Sequence, residues 1–173
     1  FTTLNGVAIN RLAKVTTNAI VDVLSFNPGY GANSNVFAIA QDTNRMLLLG
    51  GGFTMLNGTS CPHVGRLNPD GALDTTFNPG ASDLVCSLAL QADGKILVGG
   101  SFSTLGGQSR SRIGRLNADG TPDASFNAAG ALNGGSYTIS LLPGGRFLVG
   151  GIFTTARGVT RNRVAVFQSD GSL

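Results

Sequence analysis

Glutamate and tryptophan are absent from this chain, and lysine occurs only as Lys14 and Lys95. Residues that ordinarily fill exposed helix faces are therefore nearly missing, which argues against a helical protein. Charge is scarce as well, at 12% of residues, about half the usual share. Ten of the twelve basic residues are arginines scattered along the chain, without the basic stripe and interleaved aromatics of a nucleic-acid site, so no nucleic-acid partner is expected. No apolar run approaches the roughly 20 residues of a membrane helix, and no membrane insertion is expected. The chain opens at Phe1 with neither Met nor a signal-like segment, as a soluble piece of something larger would.

What is present is glycine, 26 of 173 residues, among Val, Ile, Leu, Phe, Ser, Thr and Asn. That composition suits short strands joined by tight turns, and the fold class it predicts is all-β. Self-similarity then sets the architecture. Phe1, Phe53, Phe102 and Phe153 open four near-copies of one phrase: FTTLNGVAINRLAKV, FTMLNGTSCPHVGRL, FSTLGGQSRSRIGRL and FTTARGVTRNRVAVF. Their spacings are 52, 49 and 51 residues. Residues 1–173 thus read as a single array with repeat starts at 1, 53, 102 and 153.

Each phrase leads into a turn, marked by Asp70-Gly71, Asp119-Gly120 and Asp170-Gly171, with Asn18-Ala19 in the first copy. Gly accepts positive φ there and Asp can bond its own following backbone. The next strand is expected to end at Phe26, Phe77 and Phe126, with one extra residue before Phe26. NVFAIAQ, LVCSLALQ and SYTISLL follow, then a turn, then MLLLGGGF, KILVGGSF and RFLVGGIF. Cys86, Leu88 and Leu90 alternate with Ser87, Ala89 and Gln91, predicting a hairpin that turns at Ala92-Asp93-Gly94. About four short strands per fifty residues make β-propeller blades, roughly three and a half four-stranded repeats forming an incomplete propeller. Small residues at Ala13, Gly65, Gly114 and Ala165, beside large apolar ones, suit a sheet packed on both faces.

The phrases KILVGGSF, NRVAVF and NADGTPDASF, with the PDG-type turn, resemble the delta-sixty repeat, a bacterial β-propeller repeat of large secreted or surface proteins. The resemblance spans the chain, and the first copy departs most. It implies an extracellular or cell-surface address and a structural or binding role.

Few residues escape the repeat. All nine acids are Asp; Asp22, Asp74 and Asp123 share one position, Asp70, Asp119 and Asp170 another, while Asp42 and Asp93 fall in hairpin turns. Only Asp83 stands apart. General acid and base work wants two carboxylates converging in one cleft, and turn carboxylates a blade apart do not supply that. Asp70 and Asp74 around Gly71 have the oxygen spacing of a calcium loop but lack its later Glu, so the ordinary Asp turn is preferred. His63, the one histidine, takes the place of Arg11, Arg112 and Arg163. Cys61 lies two residues before it, yet nucleophile and base usually meet from distant segments. Cys86 is expected to be a buried strand residue and Cys61 a loop residue, either as free thiols or bonded in an oxidising compartment. Arg11, Arg112 and Arg163 are expected to pair with members of the Asp22, Asp74 and Asp123 set, because the guanidinium fork matches a carboxylate. Gly50-Gly51, Gly99-Gly100 and Gly150-Gly151 lack the Lys and helix of a phosphate loop and mark bulges or close sheet approach. No catalytic, cofactor-binding or metal site is therefore assigned.

A propeller closes with four to eight blades, so an open array leaves apolar end faces that further blades or a homodimer would cover. The functional expectation is a non-catalytic scaffold or binding module presenting loops to a protein or glycan partner. A lectin-like propeller comes second, weakened because Tyr30 and Tyr137 do not recur at one position. A propeller hydrolase or lyase comes third, resting on Asp83 and His63.

Overall fold

The computed structural model describes residues 1–126 and 131–173, and its regular secondary structure is almost wholly antiparallel strand. Three three-stranded sheets follow one another along the chain. Their inner strands are Val36–Gln41, Val85–Leu90 and Ser136–Leu141. The middle strands are Leu47–Gly51, Ile96–Gly100 and Phe147–Gly151, and the outer strands are Val64–Leu67, Ile113–Leu116 and Val164–Phe167. The hairpin predicted around Ala92-Asp93-Gly94 forms, with Leu90 opposite Ile96 and the Gln91 N–H donating to the Lys95 carbonyl at 2.8 Å.

The fourth strand of each unit shrinks to one bridge: Val15 with Val21, Leu67 with Leu73 and Leu116 with Pro122. The turn chemistry explains its brevity. Asp70 accepts from the Ala72 N–H at 2.9 Å while Gly71 takes φ 93°, reversing the chain. A few residues later Asp74 accepts from the Thr76 N–H at 3.0 Å and turns the chain away again. The first copy absorbs its extra residue in this second turn, since Asp22 accepts from Ser25 instead and Leu24 bulges out, 98% exposed.

Neighbouring sheets come nearest at their inner strands, so the stack opens outward as a fan of blades. Leu48, Val64, Phe77, Val85, Ile96 and Phe102 fill the first gap, and Leu97, Ile113, Phe126, Phe147 and Phe153 belong to the core of the second. Each fully buried side chain of this size contributes roughly 1.5–3 kcal/mol. Phe77 and Phe126 end one unit and sit in the core of the next, which couples blades in series. No residue of the central inner strand Val85–Leu90 is exposed, whereas Phe37, Ile39 and Gln41 on the first and Tyr137 and Leu141 on the third are. A sheet covered on both faces lies between two sheets with one open face each.

Between middle and outer strands each three-stranded sheet inserts a short bent hairpin, Met55–Leu56 with Thr59–Ser60, Thr104–Leu105 with Gln108–Ser109, and Thr155–Ala156 with Val159–Thr160, and Thr3–Leu4 with Val7–Ala8 is the first copy's equivalent. It folds back over its own sheet. A Cβ on Gly65 would stand 2.6 Å from Leu56 Cδ1, and one on Gly114 would stand 2.7 Å from Leu105 Cδ2, so the small residue makes room for the hairpin's leucine. The corner of the bend is the residue at 11, 63, 112 and 163. Arg11, His63, Arg112 and Arg163 all adopt φ between 63° and 68°, a left-handed conformation that non-glycine residues seldom hold.

Two sequence expectations are revised here and a third is narrowed. Arg11, Arg112 and Arg163 are corner residues, and the Asp set pairs with other cations. Cys61 lies in a loop and Cys86 on a strand as expected, but their burial is the reverse of expectation: Cys61 is in the core, 1% exposed and directed at Gly65, while Cys86 is only half-buried; both thiols are free. The bulge associated with the Gly-Gly pairs lies on the facing inner strand, between Val36 and Ala38 and again between Val85 and Ser87 and between Ser136 and Thr138. The second glycine of each pair answers to close backbone approach, since a Cβ on Gly51, Gly100 or Gly151 would fall 2.0–2.1 Å from the carbonyl oxygen of Asn35, Leu84 or Gly135.

Candidate functional site

Eight of the nine carboxylates divide into two working groups. Asp42, Asp70, Asp93, Asp119 and Asp170 lie in turns and accept from backbone N–H groups two residues on, at 2.8–3.1 Å. Asp22, Asp74 and Asp123 also accept from backbone N–H groups just ahead, and in addition hold cations eight residues before them on the outer-strand segment. Lys14 Nζ is 3.0 Å from Asp22, Arg66 Nη2 2.7 Å from Asp74 and Arg115 Nε 2.7 Å from Asp123, where Lys95 joins at 3.0 Å. Arg66 lies over the Phe77 ring at 4.4 Å and Arg115 over Phe126 at 4.8 Å.

The arginines also cross to the next blade. Arg66 Nη1 donates to the Ala118 carbonyl at 2.7 Å and Arg115 Nη1 to the Ser169 carbonyl at 2.5 Å. One guanidinium thus fastens the turn of its own blade, a ring and the turn of its neighbour. Sequence reading passed over this staple, although the eight-residue interval Lys14–Asp22, Arg66–Asp74, Arg115–Asp123 carries it. The last copy has Val166 in the same place.

This setting favours the charged carboxylate. Hydrogen bonds from the Ser25 hydroxyl and backbone, then from Lys14, hold Asp22 well below the usual range. Burial raises Asp123, but Ser125, Lys95 and Arg115 together outweigh it and leave the group depressed. Asp74 follows the same balance through Thr76 and Arg66. Thr121 lowers Asp119, and Ser172 lowers Asp170. Every carboxylate with a resolved shift is moved away from the raised value that a general acid at neutral pH needs.

The isolated candidates disperse. His63 Nδ1 lies 3.3 Å from the Gly51 carbonyl, and Cys61 Sγ is 3.3 Å from the Val64 carbonyl, so the two neighbours engage different backbone groups. Burial pushes the Cys61 thiol up to about 11, opposite to an activated nucleophile. Asp83 accepts from the Leu84 N–H at 2.7 Å. Asp70 and Asp74, the calcium-loop pair, serve separate partners, Ala72 on one side and Arg66 with Thr76 on the other.

Three stretches, residues 43–77, 91–126 and 143–173, match a family described as a domain of unknown function (DUF5122), beta-propeller. The chain belongs to the DUF5122 beta-propeller family. No curated protein matches it. The first two DUF5122 units run from the inner hairpin turn through the middle strand, bent hairpin and outer strand to Phe77 or Phe126, and the third begins at the same turn and ends at Leu173. The first two matched stretches therefore each contain an Arg–Asp staple and the aromatic it covers.

Two clefts on this DUF5122 array carry exposed apolar side chains, Ile39 in one and Tyr30 and Met55 in the other. One, about 490 Å³, lies against the exposed face of the first sheet and is lined by Leu12, Lys14, Phe26, Ile39, Arg45 and Leu47 among others. The other, about 310 Å³, lies among loops and includes Asn10, Arg11, Tyr30, Asn33 and Met55. There Arg11 Nη1 donates to the Ala32 carbonyl at 2.9 Å and Asn10 Nδ2 to the Tyr30 carbonyl at 3.0 Å, leaving the Tyr30 ring largely in solvent. Sequence reading noted Tyr30 only as non-recurrent; Met55 comes from the next repeat and Asn10 and Arg11 from well upstream in its own, so no local spacing announces the cleft.

Proposed function

We propose that this chain is a non-catalytic scaffold or binding module of a bacterial surface or secreted protein of the delta-sixty type, presenting its loops to a protein or glycan partner. One observation carries the reading: the recurrent acids and the arginines facing them are spent on turns and blade staples. The groups left for recognition are exposed apolar and amide side chains on loops. Tyr30 and Met55 flank the loop cleft, and Tyr and apolar side chains of this kind supply contact area at small entropic cost.

A lectin-like reading rests on the same cleft, where an aromatic ring stands beside Asn10, Asn33 and Arg11. Glycan-array binding by the intact chain, compared with Tyr30→Ala, separates the two. Saturable glycan binding that Tyr30→Ala abolishes supports the lectin. Absence of glycan binding, with surface-protein capture that depends on Tyr30 and Met55, supports the protein-binding scaffold. Turnover of a glycan or peptide substrate that fails in His63→Ala or Asp83→Ala would overturn both.

A further inference from the structure

The loop entering the first three-stranded sheet departs from its counterpart in the second. Ala32 and Ala81 are equivalent, since each bridges the leucine of its bent hairpin, Leu56 or Leu105. Residues 27–35 exceed 78–84 by two, and the extra pair before Ala32 is Tyr30-Gly31. The loop 127–135 has Gly130 where this one has Tyr30. The second sheet forms without that pair, so the repeat does not require Tyr30 for its fold.

The extra pair is nevertheless held from both sides. Gly29 and Gly31 take φ 57° and 64°, and a Cβ on them would fall 1.8 Å from Asn57 Oδ1 and 2.3 Å from the Asn10 carbonyl oxygen. The Tyr30 N–H donates to Asn57 Oδ1 at 3.2 Å, and its carbonyl accepts from Asn10 Nδ2 at 3.0 Å. Gly31 and Ala32 are buried, whereas Tyr30 is 79% exposed. A fixed backbone thus carries a ring that packs on nothing, an anchor already ordered before any ligand arrives.

The cleft beside the ring is cationic. Arg11 lines it and no acidic residue does. Among the described residues the ion pairs engage Lys14, Arg66, Lys95 and Arg115, not Arg11. Arg11 uses Nη1 on the Ala32 carbonyl, which leaves its other N–H groups for a ligand, and arginine does not shed its charge. Both walls are built as in the later copies. Ile9 donates to the Thr2 carbonyl and Arg11 to that of Phe1, as Cys61 does to Thr54 and His63 to Phe53.

We propose that this cleft recognises a uronic acid residue of an acidic polysaccharide. The C–H face of the sugar lies on the Tyr30 ring, its carboxylate is bound by Arg11, and a hydroxyl donates to Asn10 Oδ1. This assignment rests on the glycan-binding reading of the same cleft. A peptide strand is disfavoured because the loop offers it no free edge: the Tyr30 backbone is bonded as above, the Gly31 N–H donates to the Pro28 carbonyl, and the Gly31 carbonyl accepts from Asn57. Recognition therefore falls to side chains, and about 310 Å³ is at the small end of ligand pockets, suited to one sugar unit.

The test titrates the full chain with polygalacturonate, alginate and hyaluronan, with the neutral methyl ester of each, and with poly-glutamate. At least one uronate polymer should bind saturably, and its ester should bind at least about tenfold more weakly. Tyr30→Ala should weaken binding at least about tenfold. Arg11→His at pH 8 gives a neutral side chain that the equivalent corner already accepts, since His63 holds φ 65° where Arg11 holds 63°. Its circular dichroism should match the parent, and it should bind acid and ester alike. Failure of every uronate polymer to bind would overturn the proposal, as would equal binding of acid and ester by the parent or an acid preference that survives Arg11→His. Neutral glycan binding lost in Tyr30→Ala would then leave the broader glycan reading standing. Equal binding of poly-glutamate would also overturn it and assign the cleft to acidic protein.

Discussion

Arg115 donates from Nε to Asp123 Oδ2 at 2.7 Å and from Nη1 to the Ser169 carbonyl at 2.5 Å, so one guanidinium joins its own blade to the next. Both members of the pair are buried. Removing one partner from such a pair costs roughly 3–5 kcal/mol because the other is left uncompensated. Lys95 also reaches Asp123, which places Arg115→Ala at about the low end of that range. Urea unfolding of Arg115→Ala, Asp123→Ala and the double variant should show strong coupling. The Arg112→Ala and Asp123→Ala pair should instead add within roughly 0.5 kcal/mol, since Arg112 shapes a corner and makes no ion pair with Asp123.

Stability should fall on the acid side. Asp74 and Asp123 are lowered in the folded chain, against an unfolded aspartate near 3.9. A group depressed on folding lends stability that is fully present above its unfolded value and is lost as pH drops toward the folded one. The urea midpoint should therefore stay level from pH 7 to about 5 and decline below about 4. The Asp74→Asn, Asp123→Asn double variant should be less stable at pH 7 and lose less between pH 5 and 3. A decline as steep as that of the parent would place the acid sensitivity in other groups.

Repetition explains what could be read in advance. Four aligned copies expose the period, the Asp turns and the strand alternation, because each is a local property that any copy displays by itself. The staple was harder to see. Arg112 belongs to a column of arginines and looked the better partner for Asp123, but a positive φ at that column directs the side chain elsewhere. The column that does pair reads Lys14, Arg66, Arg115 and Val166, and its variation concealed it. The bent hairpin was equally hidden, since only the closeness of Cys61 and Leu56 to the space over Gly65 reveals why that residue is small. The loop cleft around Tyr30 joins residues of two units, which a single-repeat reading cannot bring together.

A second recurring lock should report on loop opening. Asn33 Oδ1 accepts from the Thr54 and Met55 N–H groups at 2.9 and 3.0 Å, Ser82 Oγ does the same for Ser103 and Thr104, and Asn133 Oδ1 for Thr154 and Thr155. Each ties the loop entering a blade to the bent hairpin leaving its middle strand. Asn33→Ala leaves two donors without their acceptor, a loss of about 1–3 kcal/mol if water cannot replace it. The site is exposed, so the global cost should lie near the lower figure. Amide exchange at Thr54 and Met55 should accelerate well beyond exchange at Leu48 and Leu49, whereas uniform acceleration would mean that the lock supports the whole sheet.

The two thiols should separate cleanly by burial. Cys61 is sealed between Leu56 and Gly65, with its thiol pushed up to about 11, whereas Cys86 is half-buried on an inner strand. Burial and the nearby Asp83 also raise Cys86, so neither is an activated thiolate. In native buffer at pH 8, iodoacetamide should label Cys86 slowly and leave Cys61 untouched. Cys61 becomes reactive only when the bent hairpin lifts from its sheet, and its labelling rate should rise with urea in step with that opening. If Cys61 reacts before Cys86 at zero denaturant, the hairpin is not closed over Gly65 in solution, and the small residue at this repeat position has some other cause.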